Sequence, residues 1–415
     1  MFNPDQIKQD FPILQRQVHG QPLVYLDSAA TSQKPQSVID AITDYYTQHN
    51  ANVHRGVHLL SDESSELYER SRRTIAQFFG ADQNELILVR NTTEAINGVA
   101  YGWADAHLQA GDVILTTLLE HHSDFVVWQE VSRRTGAKLE FLDVDEQGKI
   151  SLEQLEKKIS QLPVKLVAMV HVSNATGTLN PIQQAAQLIK TAQKESGQQI
   201  RFLVDGAQSA PHLPVNFHQL GADFFVFSGH KMLGPMGVGG LLVKQELLKS
   251  EEMRPWLFGG GMIAEVYPDH TLFQGEAWER FTAGTPDVAS AVGLAAACDY
   301  LTKIGMADVA AHDRSLVKLA LTELNKIPEL TIIGPQDDER IGSVAFIHQR
   351  IHAHDVAQIL DSAGVAVRSG HHCTMPLHLQ FSWQATVRAS FHIYNSEADI
   401  KALVAGLDKV KQVFG

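Results

Sequence analysis

The chain is poor in cysteine, in positive charge and in long apolar runs. Only 2 of its 415 residues are cysteines, which excludes a disulfide framework. Lysine and arginine total 34 against 47 aspartates and glutamates, so the formal net charge is −13. A nucleic-acid or anionic-membrane surface needs clustered positive charge, and a membrane span needs about 20 consecutive apolar residues, which no stretch supplies. We therefore expect neither nucleic acid nor membrane as a partner.

The first residues also lack the features of a secretory signal. Met1–Gln6 contains no basic region leading into an apolar one. Together with the scarcity of cysteine, this predicts a cytoplasmic protein. A hydrophobic content of 44% over 415 residues is enough for about two or three domain cores.

Short apolar runs alternate with helical patterns between about residues 84 and 245. The runs are apolar throughout, which is typical of parallel strands covered on both faces of a sheet. We predict an α/β fold with a mainly parallel mixed sheet and a site at the carboxyl ends of its strands. The predicted strands are 86–89, 113–117, 165–171, 201–205, 224–227 and 237–243.

An alanine-rich pattern that starts near Asp287 predicts a long helix leading into a second, smaller α+β domain. We predict a large domain over 21–289, a small domain over 290–415, and an N-terminal segment, 1–20, that packs on the small domain. The elements predicted for the small domain are strands 330–333, 343–347 and 386–391 and helices at about 353–363 and 396–413.

A lysine directly after an apolar strand is the most informative residue of the chain. Lys231 follows Phe224–Phe227 and the turn Ser228–His230, which places its amine at the mouth of the sheet. Such an amine loses its proton more easily than a free lysine and forms a Schiff base with a carbonyl. Asp205 ends a second strand 26 residues earlier. A lysine for an aldehyde and an aspartate for a pyridinium nitrogen predict pyridoxal phosphate, although each residue alone is equally typical of an ordinary protein surface or strand end.

A strand followed by a helix at Thr92 is a candidate phosphate site. We predict Thr92 as the N-cap, because the free N–H groups of a first helical turn attract an anion. Thr93 adds a hydroxyl, and Ser228 and His230 beside the lysine supply further donors. The same pattern also fits a plain strand–helix joint.

Other polar residues follow strand ends. Asn174 and Gln208 are placed to reach the phenolic oxygen of a pyridine ring. An imidazole stacked on that ring is expected from His121 or His122, and spacing alone does not choose between them. Adjacent histidines on a strand or loop point apart, and no Cys-x₂-Cys pair is present, so we expect no metal site.

Cys373 lies in a loop marked by glycine and proline. Arg368 and the pair His371–His372 favour its thiolate, which is the nucleophilic form of cysteine. A chance loop cysteine is the alternative. Cys298 lies in a helical alanine run and is expected to be inert core.

Arg388 lies within a predicted strand, where a buried guanidinium needs an anionic partner. Its two-pronged geometry suits the α-carboxylate of an amino acid. A structural ion pair fits the spacing equally well.

These motifs resemble the pyridoxal phosphate-dependent cysteine desulfurases of the second group, which serve the SUF iron–sulfur assembly system. The resemblance runs over nearly the whole chain. The run Arg368–Cys373 separates this group from the first, whose cysteine lies on a longer mobile loop. The other motifs that carry the resemblance are Tyr25–Ala30, Asn52–His58, Asn91–Glu94, Glu120–His122, Asp205–Gln208, Ser228–Lys231 and Ala283–Pro286.

The resemblance implies a fold-type-I transferase that forms a homodimer. The implied reaction converts L-cysteine to L-alanine, holds the sulfur as a persulfide on Cys373 and passes it to an acceptor protein for cluster assembly. Lys231 becomes the Schiff-base lysine, and Asp205 becomes the partner of the ring nitrogen. His121, rather than His122, is selected for stacking and proton transfer.

The resemblance also assigns the remaining binding residues. It implies that Thr285 reaches the phosphate bound by the neighbouring subunit. The cofactor contacts it implies within the chain are Thr93, Asn174, Gln208, Ser228 and His230. The substrate-binding residues it implies are Arg388, Arg368, Asn174, Ala29, Ala30 and His54.

The chain departs from this family at Thr374, where alanine is commoner, and at His378–Trp383, where the family is richer in tyrosine. We expect these changes to affect partner docking and loop mobility more than chemistry. Rival interpretations on the same fold are a selenocysteine lyase, an aminotransferase or a kynureninase-like hydrolase. A non-catalytic scaffold is disfavoured because Lys231 and Asp205 are both retained.

Overall fold

The computed structural model describes residues 3–276 and 278–414. The strands of this part of the chain are β1 (Gln17–Val18), β2 (Gln21–Pro22), β3 (Val24–Tyr25), β4 (Leu86–Val89), β5 (Val113–Thr117), β6 (Lys138–Leu142), β7 (Val164–Val170), β8 (Arg201–Asp205), β9 (Phe224–Ser228), β10 (Gly239–Val243), β11 (Ile263–Val266), β12 (Thr271–Phe273), β13 (Leu330–Ile333), β14 (Ser343–His348), β15 (Val365–Ala366), β16 (Arg368–Gly370) and β17 (Thr386–Ser390).

The α-helices of the same residues connect and cover these strands. They are α1 (Pro4–Lys8), α2 (Gln36–Asp44), α3 (Leu59–Phe78), α4 (Thr92–Val99), α5 (Asp105–His107), α6 (Val126–Thr135), α7 (Leu152–Gln161), α8 (Ile182–Ser196), α9 (Phe217–Leu220), α10 (Gln245–Lys249), α11 (Val288–Ile304), α12 (Met306–Leu324), α13 (Ala353–Ser362), α14 (Met375–Gln380) and α15 (Glu397–Phe414). None of them is long and apolar enough to cross a membrane.

A seven-stranded sheet forms the centre of the larger unit, in the order β4-β10-β9-β8-β7-β5-β6. The sheet is parallel from β9 through β8, β7 and β5 to β6. Strand β10 runs antiparallel to both β9 and β4. The predicted α/β fold with a mainly parallel mixed sheet is therefore confirmed.

The apolar runs have a direct physical cause, because both faces of this sheet are buried. In β9, Phe225 and Phe227 pack into one apolar cluster, while Phe224 and Val226 pack into another on the opposite face. Side chains alternate between the faces of a strand, so a strand with two covered faces needs an apolar residue at every position.

A second sheet, in the order β13-β14-β17-β16, is antiparallel throughout. Helices α12, α13 and α15 supply its core through residues such as Leu316, Val356 and Leu403. The elements predicted here were found, with the addition of β15, β16 and α14, which the sequence pattern did not indicate.

The connection between the two sheets differs from the predicted single helix. Helix α11 begins as expected, with Asp287 as the N-cap whose side chain accepts the N–H of Ser290. It ends at Ile304, and α12 begins after Gly305, which has a φ of 95°. Glycine adopts this conformation at little cost, so the chain turns there.

The N-terminal segment contacts elements that lie far along the chain. Lys8 pairs with Asp399 at 3.2 Å, and β3 pairs in parallel with β15. The predicted domain limits stay a prediction. The pairing of β3 favours joining residues 21–26 to the small domain rather than to the large one.

Candidate active site

A cavity of ≈ 240 Å³ opens where the carboxyl ends of β7, β8 and β9 meet. Parallel strands end at one edge of the sheet, so residues far apart in sequence converge there. All but two of the predicted site residues line it: Ala29, Ala30, Thr93, His121, Asn174, Asp205, Gln208, Ser228, His230, Lys231, Arg368, Cys373 and Arg388.

Lys231 ends a short 3-10 turn that follows β9 directly. The turn is held by the carbonyl of His230, which accepts hydrogen bonds from the backbone N–H of Ser32 at 3.1 Å and from Nζ of Lys34 at 2.9 Å. The segment 32–34 therefore anchors the backbone at the residue before the lysine, from outside the strand that leads to it.

Burial sets the electrostatics of Lys231 and Asp205. It lowers the pKa of Lys231 to about 8, although the charge of Asp205 acts in the opposite direction. Asp205 is 2% exposed, and its Oδ1 accepts the N–H of Ala207 at 2.8 Å. Burial raises the pKa of Asp205, since this bond and Lys231 offset only part of the lost hydration. A carboxylate in such a position gains from any cation placed against it.

The first turn of α4 faces the same cavity. The N-cap is Asn91, whose side chain accepts a backbone N–H three residues on; the prediction of Thr92 as the cap was wrong. Asn91 has the extended backbone and short polar side chain that a cap requires. Thr92 is the first helical residue, and its N–H donates to Oγ of Ser228 at 2.9 Å. The hydroxyl of Thr93 lies 2.7 Å from that of Ser123.

His121 forms one wall of the cavity, whereas the adjacent His122 does not line it. The N–H of Ser123 donates to Nδ1 of His121 at 3.1 Å, and the Ser123 hydroxyl lies 2.9 Å from the same nitrogen. Burial lowers the pKa of His121 to about 3, with the charge of Lys231 as the next cause. The ring is therefore neutral and fixed in orientation.

Arg388 and Arg368 lie directly opposite each other on β17 and β16. Arg388 is 2% exposed; its Nη1 donates to the carbonyl of Asn174 at 2.5 Å and its Nη2 to Oδ1 of Asp27 at 3.3 Å. Burial lowers the pKa of Arg388 to about 10, so the group stays charged. The ion-pair interpretation of this residue is confirmed by its contact with Asp27, whereas its role toward a substrate carboxylate stays a prediction. Arg388 also lines the cavity, and its buried Nε has no partner.

Cys373 is half-buried in the loop between β16 and α14. Burial is the main cause of the lowered pKa of both Lys231 and Arg388, and the charge of Cys373 is the smallest cause, acting in the opposite direction. Cys298, in contrast, is fully buried in α11, and burial raises the pKa of its thiol. The expectation that Cys298 belongs to the core is confirmed.

Gln208 and Asn174 are partly committed to other partners. Nε2 of Gln208 donates to the carbonyl of Ala29 at 2.8 Å. Nδ2 of Asn174 donates to the carbonyl of His372 at 2.5 Å, while Oδ1 of Asn174 is buried without a partner. These contacts connect the cavity wall to the motif Tyr25–Ala30 and to the loop that carries Cys373.

His54 and Thr285 do not line this cavity. They lie together on a second cavity of ≈ 550 Å³, beside Asn52 and Trp278. The hydroxyl of Thr285 donates to Oδ1 of Asn52 at 3.5 Å. Their predicted roles, with Thr285 serving the neighbouring subunit, stay predictions.

Two buried carboxyl groups behind the cavity were not anticipated from the sequence. Glu120 accepts a hydrogen bond from Thr117 at 2.7 Å, and Asp124 accepts one from the indole of Trp128 at 2.7 Å. Burial raises the pKa of Glu120 to about 8 and that of Asp124 well above its usual range, and the charge of Asp205 adds to both. The only sequence signal was an acidic residue on each side of the histidine pair. Among the residues described, no group of three histidine, cysteine or acidic side chains is arranged to hold a metal ion.

Fold and site together define a fold-type-I, pyridoxal phosphate-dependent transferase. The chain belongs to the aminotransferase class-V family, which matches residues 24–403. Pyridoxal phosphate is the cofactor of this family, which confirms the cofactor predicted from the lysine–aspartate pair.

Relatives that match over nearly their whole length carry one functional name. A protein of Halalkalibacterium halodurans named probable cysteine desulfurase is 46% identical over 415 residues, covering 100% of this chain and 99% of the relative. The solved apo structure of a cysteine desulfurase from Thermococcus onnurineus has a TM-score of 0.92 at 39% identity, covering 99% of this chain and 98% of the other. The cysteine desulfurase CsdA of Escherichia coli, solved in an S-sulfonic acid form, has a TM-score of 0.89 at 36% identity, covering 100% and 99%.

Proposed function

We propose that the protein is a cysteine desulfurase that converts L-cysteine to L-alanine and keeps the sulfur as a persulfide on Cys373. The observation that carries this proposal is the placement of the Cys373 thiol in one cavity with Lys231 and Arg388. An amine for an aldehyde, a guanidinium for a carboxylate and a thiol for sulfur are the groups that this reaction requires. An aminotransferase would need only the first two.

The cavity residues fit pyridoxal phosphate. The buried Asp205 is a carboxylate without a full cationic partner, which suits a protonated ring nitrogen. The first turn of α4 and the hydroxyls of Thr93 and Ser228 suit the phosphate. Oδ1 of Asn174 is buried and unpartnered, and this amide suits the polar edge of the ring. When bound, the cofactor supplies an electron sink that makes the α-proton of an amino acid acidic.

Lys231 has two roles in this proposal. As a neutral amine it holds the aldehyde covalently, and once released by the substrate it moves the α-proton. A pKa of about 8 makes it a competent base near neutral pH. The neutral ring of His121 stacks on the pyridine ring of the cofactor and assists the proton transfer from its own wall of the cavity.

Arg388 holds the substrate carboxylate. Its Nε has no partner, and two of its other nitrogens are braced by Asn174 and Asp27. A charge-assisted contact from a braced guanidinium gives orientation as well as affinity. Arg368 adds positive charge from the neighbouring strand, and Ala29 leaves room for the substrate with a small side chain.

Cys373 reacts in its thiolate form and accepts the sulfur of the substrate. Its sulfur attacks the sulfur of the substrate, the new S–S bond forms as the bond from that sulfur to Cβ breaks, and the released electron pair goes to the carbon side. Protonation there yields the methyl group of alanine. The enzyme regains its thiolate when a second thiol takes the persulfide sulfur.

We place the enzyme in the second group of cysteine desulfurases, delivering sulfur in the cytoplasm to an acceptor protein for SUF-type iron–sulfur assembly. The run Arg368–Cys373 and the short, ordered loop around the cysteine support this assignment. Exposed apolar side chains next to the cysteine, Met375 and Leu379, are compatible with transient docking of an acceptor.

We also propose that the enzyme is a homodimer in which Thr285 and His54 serve the neighbouring subunit. Both line a cavity separate from the cysteine site. Several large apolar side chains in this region are exposed in the single chain, as expected of an interface surface: Val57, Leu59, Leu257, Phe258 and Val266.

Mass spectrometry after addition of L-cysteine tests the reaction. The wild-type protein should gain one sulfur atom on the peptide that contains Cys373 and release alanine. Cys373→Ala should bind the cofactor yet form no persulfide, whereas Cys298→Ala should behave as wild type. Normal sulfur transfer by Cys373→Ala would contradict the proposal. Release of selenium but not sulfur by that variant would instead indicate a selenocysteine lyase.

A further inference from the structure

The loop that carries Cys373 has a backbone conformation that is unfavourable without contacts from other parts of the chain. His372 and Cys373 have φ angles of 50° and 59°, in the left-handed region that side chains other than glycine disfavour. Such a conformation is unfavourable and persists only where its surroundings enforce it. Contacts from outside the loop must therefore fix the position of the thiol.

One residue contacts the loop at the cysteine and again two residues after it. The backbone N–H of His122 donates to the carbonyl of Cys373 at 2.8 Å. The backbone N–H of Met375 donates to the ring Nε2 of the same histidine at 3.1 Å. The first contact depends only on the chain path, but the second requires a side chain with an acceptor at that distance.

The ring of His122 is suited to accept. Burial and, after it, the charge of His371 lower its pKa, which favours the neutral ring. With its hydrogen on Nδ1, the neutral ring has a free electron pair on Nε2. His122 lies in the same short turn as His121, so the residue next to the cavity wall is the one that grips the cysteine loop.

Other contacts hold the loop at its earlier residues. Asn174 binds the carbonyl of His372, and Thr374 binds that of His371 through both its N–H at 2.9 Å and its hydroxyl at 2.8 Å. Helix α14 begins at Met375, whose N–H donates to the side chain of His122. His122 is therefore the side chain that joins the far end of the loop to the cavity wall.

We propose that His122 is a positioning residue, which fixes the Cys373 thiol over the cavity by accepting the Met375 N–H on its Nε2. The effect of His122 on the cysteine reaction rests on the proposed function, whereas its effect on the position of the Cys373 loop does not. The ring touches neither substrate nor cofactor in this proposal, and acts through the loop alone.

A matched pair of substitutions tests it. In His122→Gln the amide oxygen occupies about the place of Nε2, whereas in His122→Asn it is one methylene too short. The backbone contact to Cys373 is present in both variants. Hydrogen exchange at the Met375 amide and alkylation of Cys373 on the pH plateau of the reaction, where the thiol is fully ionised, are measured for both variants and wild type.

We expect the Asn variant to exchange Met375 and alkylate Cys373 faster, on the order of fivefold, the effect of losing one hydrogen bond. The Gln variant should stay close to wild type. For the cysteine reaction, kcat should fall in the Asn variant with KM unchanged, because the Arg388 clamp is untouched. Equal exchange in all three proteins, or equal acceleration in both variants, would overturn the role of the Nε2 acceptor.

These readings separate the two proposals. Exchange and alkylation need no turnover, so they decide on His122 even if the wild-type protein forms no persulfide. Absence of the persulfide in wild type would contradict the proposed function alone.

Discussion

Lys231 is a buried amine whose protonation decides whether it can combine with an aldehyde. Only the neutral amine carries a free electron pair, and burial has lowered the pKa to about 8. We expect the rate at which the apoprotein takes up pyridoxal phosphate, followed by visible absorbance, to rise with pH and level off above about 8.

Lys231→Arg is the control for this pH profile, since it keeps a positive charge but cannot form the bond. This variant should not develop the visible absorbance of the lysine-bound cofactor at any pH. A rate that does not vary with pH through this range in the wild-type protein would contradict the lowered pKa.

At the residue scale, sequence reasoning succeeded where a residue's place in a strand was enough. Asp205 ends an apolar strand and Lys231 follows the apolar strand beside it, so both could be placed at the same edge of the sheet. The Asp27 partner of Arg388 was missed, since the two residues are 361 positions apart. Their contact depends on how the N-terminal motif meets β17, which no local pattern contains.

The link between β5 and α6, residues 118–125, concentrates several functions in one element. Glu120 and Asp124 point into the core, His121 faces the cavity and His122 contacts the cysteine loop. A short irregular segment can direct neighbouring side chains in different directions, whereas a strand offers only two.

We expect Glu120→Gln to stabilise the apoprotein increasingly as pH rises. The folded state raises the pKa of this carboxyl from 4.5 to about 8, so it favours the protonated acid. Between these values the unfolded chain ionises freely while the folded chain resists, so wild-type stability falls relative to that of the uncharged variant. At pH 8 the Tm difference should exceed that at pH 4.5 by at least about 1 °C, the effect of roughly 1 kcal/mol in a chain of this size.

The measurement compares the two apoproteins by thermal unfolding at several pH values. Glu130→Gln, which removes an exposed carboxylate on α6, is the matched control and should show no such trend. A gap between wild type and Glu120→Gln that is constant with pH would show that Glu120 does not resist ionisation in the folded state.

At the element scale, the strands of the sheet centre and the edge strand β4 were predictable, whereas the opposite edge strand β6 was not. β9 is buried at every position, so it reads as an apolar run. β6 lies at the edge and is mostly half-buried or exposed, which leaves a mixed sequence. β16 has only three residues, too few for a period to register.

At the scale of the whole molecule, we assign the cavity around Lys231 and the cavity around Thr285 to the sites of two different subunits. If Thr285 contacts the phosphate bound by a neighbour, Thr285→Ala should weaken pyridoxal phosphate binding by about tenfold or more, the usual effect of a hydrogen bond to a charged group. Titration of the apoprotein with cofactor, followed by absorbance, measures this change.

Mixed dimers make the subunit assignment testable. A dimer of one Lys231→Ala chain and one Thr285→Ala chain holds one complete site, formed by the lysine of the second and the threonine of the first. It should recover wild-type affinity at half of its sites. If affinity recovers at none, the threonine acts within its own chain or not on the cofactor.

The overall architecture was predictable because it follows from the alternation of buried strands and helices. The proposed subunit interface was not predictable, because an apolar surface that binds a partner has the same local sequence pattern as an apolar loop. Phe258, 69% exposed in the single chain, illustrates this: only the folded surface shows that it lies outside the core.

The site is divided between the two sheets, with Lys231 after β9 of the larger sheet and Arg388 on β17 of the smaller one. In the proposed reaction, the amino acid is held on the cofactor in the larger unit and by Arg388 in the smaller one, so it links the two units. Its binding should therefore make the two units unfold together in a single thermal transition.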